Sequence, residues 1–254
     1  MRDHNQSLAK AFDGQAAQFE RAPVQTDPLA LTRLVEFARF PVNSYLLDAG
    51  CGPGLVSEAF LKAGHRVFGV DLSQEMISRA RRRGSGFDGR ARFEQASLFD
   101  PVVGEAGPFD GAVSRYVLHH VADPLDFVSR QAALLKPSGI LVLSDHTTDA
   151  VPALAERHQR LEGSRDTTHT RNLTAGAIVD LFTKIGLVDI ESAEEAFTLD
   201  FDEWFDRGTP GVSKDELRRD ILETPQARGF RARESDSGRV VIDCFRVIVR
   251  GVKG

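Results

Sequence analysis

Leu46-Leu47-Asp48-Ala49-Gly50-Cys51-Gly52-Pro53-Gly54 runs from an apolar segment through an acid into three glycines, with helix-forming residues from Leu55 onward. In order, this reads as a strand, a tight turn and a helix start, and the glycines let a ligand approach the backbone closely. A glycine-rich loop alone does not discriminate, because several families of nucleotide-type cofactor binders use one and some such loops are only turns.

The next apolar run, Arg66-Val67-Phe68-Gly69-Val70-Asp71, ends in a second acid. A carboxylate about 20 residues beyond such a loop is placed to accept both hydrogen bonds of a ribose diol, although an acid there can also simply cap the next helix. The glycine spacing separates the candidate ligands. A pyrophosphate is cradled by G-x-G-x-x-G at a helix N-terminus, whereas this loop reads G-x-G-x-G with Asp48 just before it. That acid would repel a pyrophosphate and suit an amino-acid ammonium.

Outward from the loop, short apolar runs alternate with helical stretches: YLLDAG, RVFGVD, ARFEQAS, FDGAVS, GILVLSD, GLVDIESAE and RVVIDCFRVIVRG. This rhythm predicts an α/β fold with a mainly parallel, helix-covered sheet. Residues 1–40 read as helical, with Leu8, Phe12, Phe19, Leu31, Leu34, Val35 and Ala38 near a 3.6-residue period and breaks at Pro23 and Pro28. The polar segment of about 200–238, which holds Trp204, reads as a cap or insertion before the last strand, and about 147–172 as a second cap segment on a core of 41–254.

The 254 residues and formal net charge of −5 fit one large domain, or one domain with an insertion, and argue against a phosphate-backbone partner. Cys51 and Cys244 are too few for a disulfide framework or a zinc site, so no metal is expected and a reducing cytoplasm fits. The polar stretch Met1–Lys10 does not read as a signal peptide, and no apolar run approaches the roughly 18 residues that span a bilayer. The reading expects neither a nucleic-acid nor a membrane partner, with the chain a monomer or homodimer.

With these residues in hand, the sequence resembles the class I S-adenosylmethionine (SAM)-dependent methyltransferases, in the small-molecule branch similar to the ubiquinone and menaquinone C-methyltransferases. The resemblance covers roughly residues 10–195. It implies a doubly wound, seven-stranded, mostly parallel sheet with an antiparallel final strand, SAM as cofactor, and residues 1–40 as a lid. It also implies that Asp48, Gly50, Cys51, Gly52 and Gly54 hold the methionine part of SAM, Asp71 the ribose, and Leu72 and Met76 the adenine flanks. Phe109–Ser114 followed by Leu118-His119-His120-Val121-Ala122-Asp123-Pro124, and Leu135-Lys136-Pro137-Ser138-Gly139, match further motifs and bring Ser114 and Arg115 to the cofactor. Where the family carries G-D-A after the third strand, this chain has Gln95-Ala96-Ser97; Gln95 keeps an amide oxygen able to accept from the adenine amino group.

Ligands of a doubly wound sheet lie beyond the carboxyl ends of its strands, so Arg115, Tyr116, His119, His120, Asp145 and His146 should face the reacting methyl. Methyl transfer from a sulfonium needs an in-line acceptor, and a general base only where the acceptor arrives protonated. His119 or His120 is a candidate base, oriented by Asp145 or Asp166; helix capping or adenine contact is the competing reading. Arg165, Asp166, His169 and Arg171 in the R-D-x-x-H-x-R pattern could close over an acceptor bearing a carboxylate, phosphate or polarised carbonyl, or merely brace the cap. Arg79, Arg81, Arg82 and Arg83 read as a solvated helix end. Three alternatives stand beside methyl transfer: a SAM-fold enzyme of non-methylating chemistry such as cyclisation or rearrangement, a non-catalytic SAM-binding module, and a nicotinamide dehydrogenase, which the loop spacing disfavours.

Overall fold

Pro23 and Pro28, the two breaks in the N-terminal pattern, start helices rather than end them. A computed structural model of the chain, describing residues 2–223 and 226–254, has α1 at Arg2–Arg21, α2 at Pro23–Thr26 and α3 at Pro28–Ala38. Proline is tolerated at a first helical position because the missing N–H has no partner there anyway, and Asp27 caps α3 by accepting from Leu29 N. Met1 of the expected lid and residues 224–225 of the expected cap lie outside the described residues.

The sheet strands are β1 (Tyr45–Ala49), β2 (Arg66–Asp71), β3 (Ala91–Gln95), β4 (Phe109–Arg115), β5 (Leu135–His146), β6 (Leu187–Asp200), β7 (Phe230–Glu234) and β8 (Val240–Lys253). They lie in the order β3-β2-β1-β4-β5-β8-β6, with the first five parallel and β8 antiparallel to both neighbours. The seven-stranded path with an antiparallel last strand is the expected one. β7 is an eighth, short strand within the segment read as a cap, and it pairs with β8 from Phe230↔Cys244 to Glu234↔Val240. Only Phe230 and Ala232 of β7 are buried between charged residues, which is too short an alternation to stand out in the sequence.

Helices cover both faces: α4 (Leu55–Lys62), α5 (Gln74–Gly84), α6 (Pro101–Ala106), α7 (Pro124–Ala133), α8 (Pro152–Arg165) and α9 (Ala175–Lys184), with α10 (Phe201–Asp206) and α11 (Lys214–Glu223) following β6. The two-residue period of a strand sends alternate side chains to opposite layers. Leu47 and Phe68 pack with Phe127, Ile178 and Phe182, whereas Leu46 and Val67 pack with Leu34, Val56 and Phe60. Each such fully buried large side chain contributes roughly 1.5–3 kcal/mol. A further cluster joins Phe201, Trp204, Leu217, Ile221 and Phe230 to Ile242 and Cys244 of β8.

Order reverses between β1 and β4, and the connections after both strands splay apart there. A cavity opens at that switch point, under α1.

Candidate functional site

The strand-to-helix turn after β1 is a backbone device. Gly50 has φ +74°, and a Cβ there would lie 2.6 Å from Val117; Gly54 has φ +83°, and its Cβ would press on Ala80 of α5 at 3.1 Å. Gly50 keeps the cavity open, whereas Gly54 lies off its wall and lets α4 and α5 pack closely.

Two carboxylates lie beside this turn. Asp48 is buried and its Oδ2 accepts from the Ser57 hydroxyl at 2.6 Å. Burial pushes its carboxyl up to about 7 against that hydrogen bond, and the charge of Asp71 adds to the push. Asp71, at the end of β2, accepts from Gly52 N through Oδ2 and from Ser73 N through Oδ1, both at 2.9 Å. Its carboxyl is also raised by burial. Ser73, not Asp71, caps α5, by accepting from Met76 N.

The cavity encloses about 190 Å³, more than ten times the roughly 10–15 Å³ that one water requires. Asp48, Gly50, Cys51 and Gly52 form one end of its wall; Asp71, Leu72 and Met76 form the next stretch, and Ala96 and Ser97 continue it. Arg115 lines it too, but its guanidinium donates to Val24 O at 2.8 Å and Gln25 O at 3.1 Å, tying β4 to α2. Gln95 does not line the cavity: its amide nitrogen donates to Leu72 O on the exposed side. Ser114 is buried beneath the wall, and its hydroxyl has no hydrogen-bond partner among the described residues. The sequence reading omitted Leu98 and Phe99 after β3, Val117, and His4, Asn5 and Leu8 of α1. The helical period of α1 marks its apolar face, but nothing local says what that face covers.

Of the residues grouped as catalytic candidates, His120 alone lines the cavity. Its Nδ1 lies 3.2 Å from Thr168 O, which only accepts, so Nδ1 carries the proton and Nε2 holds the free lone pair. Thr168 Oγ1 lies 3.2 Å from the same Nδ1 and donates to Asp166 Oδ1 at 2.6 Å, linking His120 to Asp166 through one hydroxyl. Burial, then the neighbouring His119, push the His120 pKa well below its ordinary value.

His119 stands behind it, ring centroids 4.2 Å apart, with Nδ1 2.6 Å from Asp145 Oδ1. Burial opposes a charge on His119, yet Asp145 prevails and holds its pKa above the ordinary value. Asp145 Oδ2 also accepts from Leu118 N at 2.6 Å, which fixes the turn after β4. His146 stacks on His119 at 5.5 Å, and burial takes its pKa to about 3. His169 bonds Gln159 Oε1 at 2.9 Å and is likewise lowered to about 3 by burial. Arg165 pairs with Glu162 at 3.0 Å and Asp166 at 3.5 Å, while Arg171 is exposed and pairs with Glu156. Apart from the exposed Arg171, these groups form a polar layer behind the cavity rather than its wall.

Tyr116, the first residue after β4, lines the cavity at φ +60°, a costly conformation for an aromatic side chain that surrounding contacts must hold. Its ring lies 4.4 Å from the Arg115 guanidinium and 4.5 Å from His146, and its hydroxyl accepts from Arg246 Nη1 at 2.8 Å.

A doubly wound sheet with a cavity at its switch point, a glycine turn and an acid at the end of the second strand defines a class, the α/β proteins built to hold a nucleoside-bearing ligand. Comparison narrows it: residues 24–192 match the methyltransferase-domain family model, and the chain belongs to that family. It is 36% identical over 134 residues to the ubiquinone biosynthesis O-methyltransferase of Xanthomonas campestris pv. campestris, covering 52% of this chain and 54% of that one. The chain therefore matches about half the length of that curated relative. The YcgJ protein of Bacillus subtilis shares the fold at TM-score 0.76 and 23% identity, over 89% of this chain and 98% of that one. So does a Burkholderia thailandensis 1,6-didemethyltoxoflavin-N1-methyltransferase, solved with 1,6-didemethyltoxoflavin and S-adenosylhomocysteine (SAH), at TM-score 0.62 and 18% identity over 100% and 90%.

Proposed function

We propose that the chain binds SAM in this cavity and transfers its methyl group to a small-molecule acceptor, leaving SAH. The observation that carries the reading is a pair of carboxylates on one cavity wall, the buried Asp48 and the half-buried Asp71, separated by a glycine turn. Each Asp71 oxygen accepts one backbone N–H and keeps a lone pair for a ribose hydroxyl. Asp48, beneath the turn, supplies negative charge at the end where the ligand's ammonium would lie. Family membership and the SAH-bound structural relative support the same ligand.

His120 is the base of this reading. Where the acceptor arrives as a hydroxyl, Nε2 would take its proton, SAM when bound would supply the electrophilic methyl group, and Thr168 with Asp166 steadies the ring. His119 and Asp145 are positioning residues, forming a hydrogen-bonded pair behind His120 and fixing the turn that presents it. A small molecule rather than a nucleic acid as acceptor, a cytoplasmic setting and a monomeric or homodimeric state complete the proposal. The net charge of −5 and the two unpaired, buried cysteines support it. Among the described residues no helix is long and apolar enough to cross a membrane.

Calorimetric titration with SAM, SAH and NAD tests the cofactor. Both adenosyl ligands should bind, NAD should not, and Asp71→Ala should lose the binding; a protein that takes neither adenosyl ligand sinks the proposal. Product analysis with methyl-labelled SAM then distinguishes methyl transfer from a rearrangement that leaves the label on the cofactor.

A further inference from the structure

Leu118–His120 is a single 3-10 turn, too short to satisfy its own last carbonyls. His119 O and Val121 O accept from Thr170 Oγ1 at 2.7 and 3.1 Å, and Thr170 N and Arg171 N also reach His119 O. The carbonyl between them, His120 O, accepts from His4 Nε2 of α1 at 2.9 Å. The turn that carries His120 is therefore held jointly by the segment after α8 and by α1. Its ring shows the same division. Thr168 O and Thr168 Oγ1 both lie 3.2 Å from Nδ1, at the long end of the hydrogen-bond range, so that tie is loose. His119 packs on the ring with centroids 4.2 Å apart, and Phe12 of α1 meets it edge-to-face at 5.0 Å and 88°. An edge-to-face contact is directional, so Phe12 fixes the tilt of the ring as well as its place.

Phe12, His4 and His120 all line the cavity, and Phe12 is backed by Phe19, centroids 5.7 Å apart. The residue next to Phe12 ties the same helix to the opposite wall. Asp13 Oδ1 accepts from Ser73 Oγ at 2.6 Å and Glu75 N at 3.1 Å, and Ser73 N donates to Asp71 Oδ1 at 2.9 Å. Adjacent residues of α1 therefore connect the carboxylate read as the ribose's partner to the ring read as the base. The remaining charged or titratable groups that face His120 are His119, His169 and Arg165, with Asp166 reached through Thr168, and none of them is on α1.

We propose that Phe12 and His4 are positioning residues for His120, and that Asp13 makes their hold depend on the Asp71 wall. With α1 in place the ring is set; with α1 displaced it loses one ring neighbour and one backbone tie together. The inference rests on the reading of His120 as the base and adds what orients it. His120 is only 6% exposed, so losing these contacts also admits water to the ring.

The test follows the ring nitrogens of isotopically labelled histidine by nuclear magnetic resonance, with and without saturating SAH, the His120 signal being assigned by its loss in His120→Asn. In the wild type Nδ1 should carry the proton and the ring should titrate well below 6.5. In Phe12→Ala and in His4→Leu the signal should move toward the mean of the two tautomers and its titration should rise by about one unit, because the ring loses a fixed neighbour and gains water. Asp13→Ala should move it the same way by less. His4→Gln, whose amide still donates, should keep the wild-type signal, and so should Lys10→Ala at an exposed position of α1. Melting temperatures certify the folds, and Phe12→Leu, which keeps bulk and removes the ring, replaces an unfolded Phe12→Ala. A wild-type His120 signal in any of the three folded disrupting variants, or an equal shift in Lys10→Ala, overturns the proposal. The spectra need neither acceptor nor turnover, so they read the positioning even where the SAH titration or the turnover of His120→Asn shows the methyl-transfer or base reading to be wrong.

Discussion

Asp48 couples cofactor binding to pH. Its carboxyl, pushed up to about 7 by burial, is partly protonated in the unliganded protein at neutral pH, whereas an ammonium beside it favours the ionised form. SAM affinity should therefore rise with pH through about 7, with a proton released below that point, and Asp48→Asn should flatten the dependence. Calorimetry in buffers of different ionisation enthalpy reads the proton directly. The sign for folding is opposite: a carboxyl raised on folding stabilises the folded state at low pH, and that contribution is lost between its unfolded value near 4 and about 7. Asp48→Asn should accordingly raise the melting temperature of the unliganded protein at pH 8 while weakening SAM; a lowered melting temperature contradicts the account. His120 gives the kinetic counterpart. His120→Asn should lower kcat about 10²- to 10⁴-fold for a hydroxyl acceptor, with SAM affinity within a few-fold of wild type. Because its pKa lies well below 6.5, kcat should stay level from pH 6 upward and fall only in acid. A fall beginning above pH 6.5 would instead assign the proton to His119, whose pKa Asp145 raises. At this scale one cavity wall was legible because Asp48, Gly50, Gly52 and Asp71 are brought together by local spacing. The retreat of His119 and His146 behind that wall was not, because it depends on packing set by distant elements.

α1 is held over the cavity by a few specific contacts. Asp13 accepts from Ser73 Oγ at 2.6 Å and Glu75 N at 3.1 Å at the start of α5, and Glu20 pairs with Arg79 and, at 3.1 Å, with Arg83. The run at Arg79–Arg83 reads as a solvated helix end in sequence, and Arg81 and Arg82 are exposed; Arg79 and Arg83 instead brace α1 through Glu20. Local reading could not see this, since their partner lies about 60 residues upstream. Partly exposed ion pairs are worth roughly 0.5–1 kcal/mol each. Glu20→Ala, which breaks two, should speed SAH release about three- to tenfold in stopped-flow measurements without moving the melting temperature by more than a few degrees. An unchanged release rate would mean that α1 is not the element that opens. β7 escaped the sequence reading for a related reason, because its pairing with β8 is set by the long strand it joins and not by its own composition.

Across the whole molecule, β8 carries both hydrophobic cores on one strand. Val247, Ile248 and Val249 belong to the layers on either side of the central sheet, whereas Val240, Ile242 and Cys244 belong to the cluster around Trp204. β6 runs along nearly the whole of its length, from Leu187↔Lys253 to Asp200↔Val241. The segment after β6 has its own apolar interior, as an independent domain would, but its floor is a strand that the central sheet also needs. Unfolding it alone would expose Ile242 and Cys244 and remove the β7 pairing while leaving the other half of β8 in place, a state that gives up burial without freeing the strand. We therefore expect one cooperative transition. Trp204, the sole tryptophan, lies in the cap cluster, so its fluorescence reports the cap while far-ultraviolet circular dichroism reports the whole sheet. The two urea midpoints should coincide in the wild type. Phe201→Ala, at a fully buried cap position, should cost about 3–5 kcal/mol and lower both midpoints together. If the fluorescence midpoint falls while the dichroism midpoint stays, the cap is a separate folding unit and the shared strand does not couple the two cores.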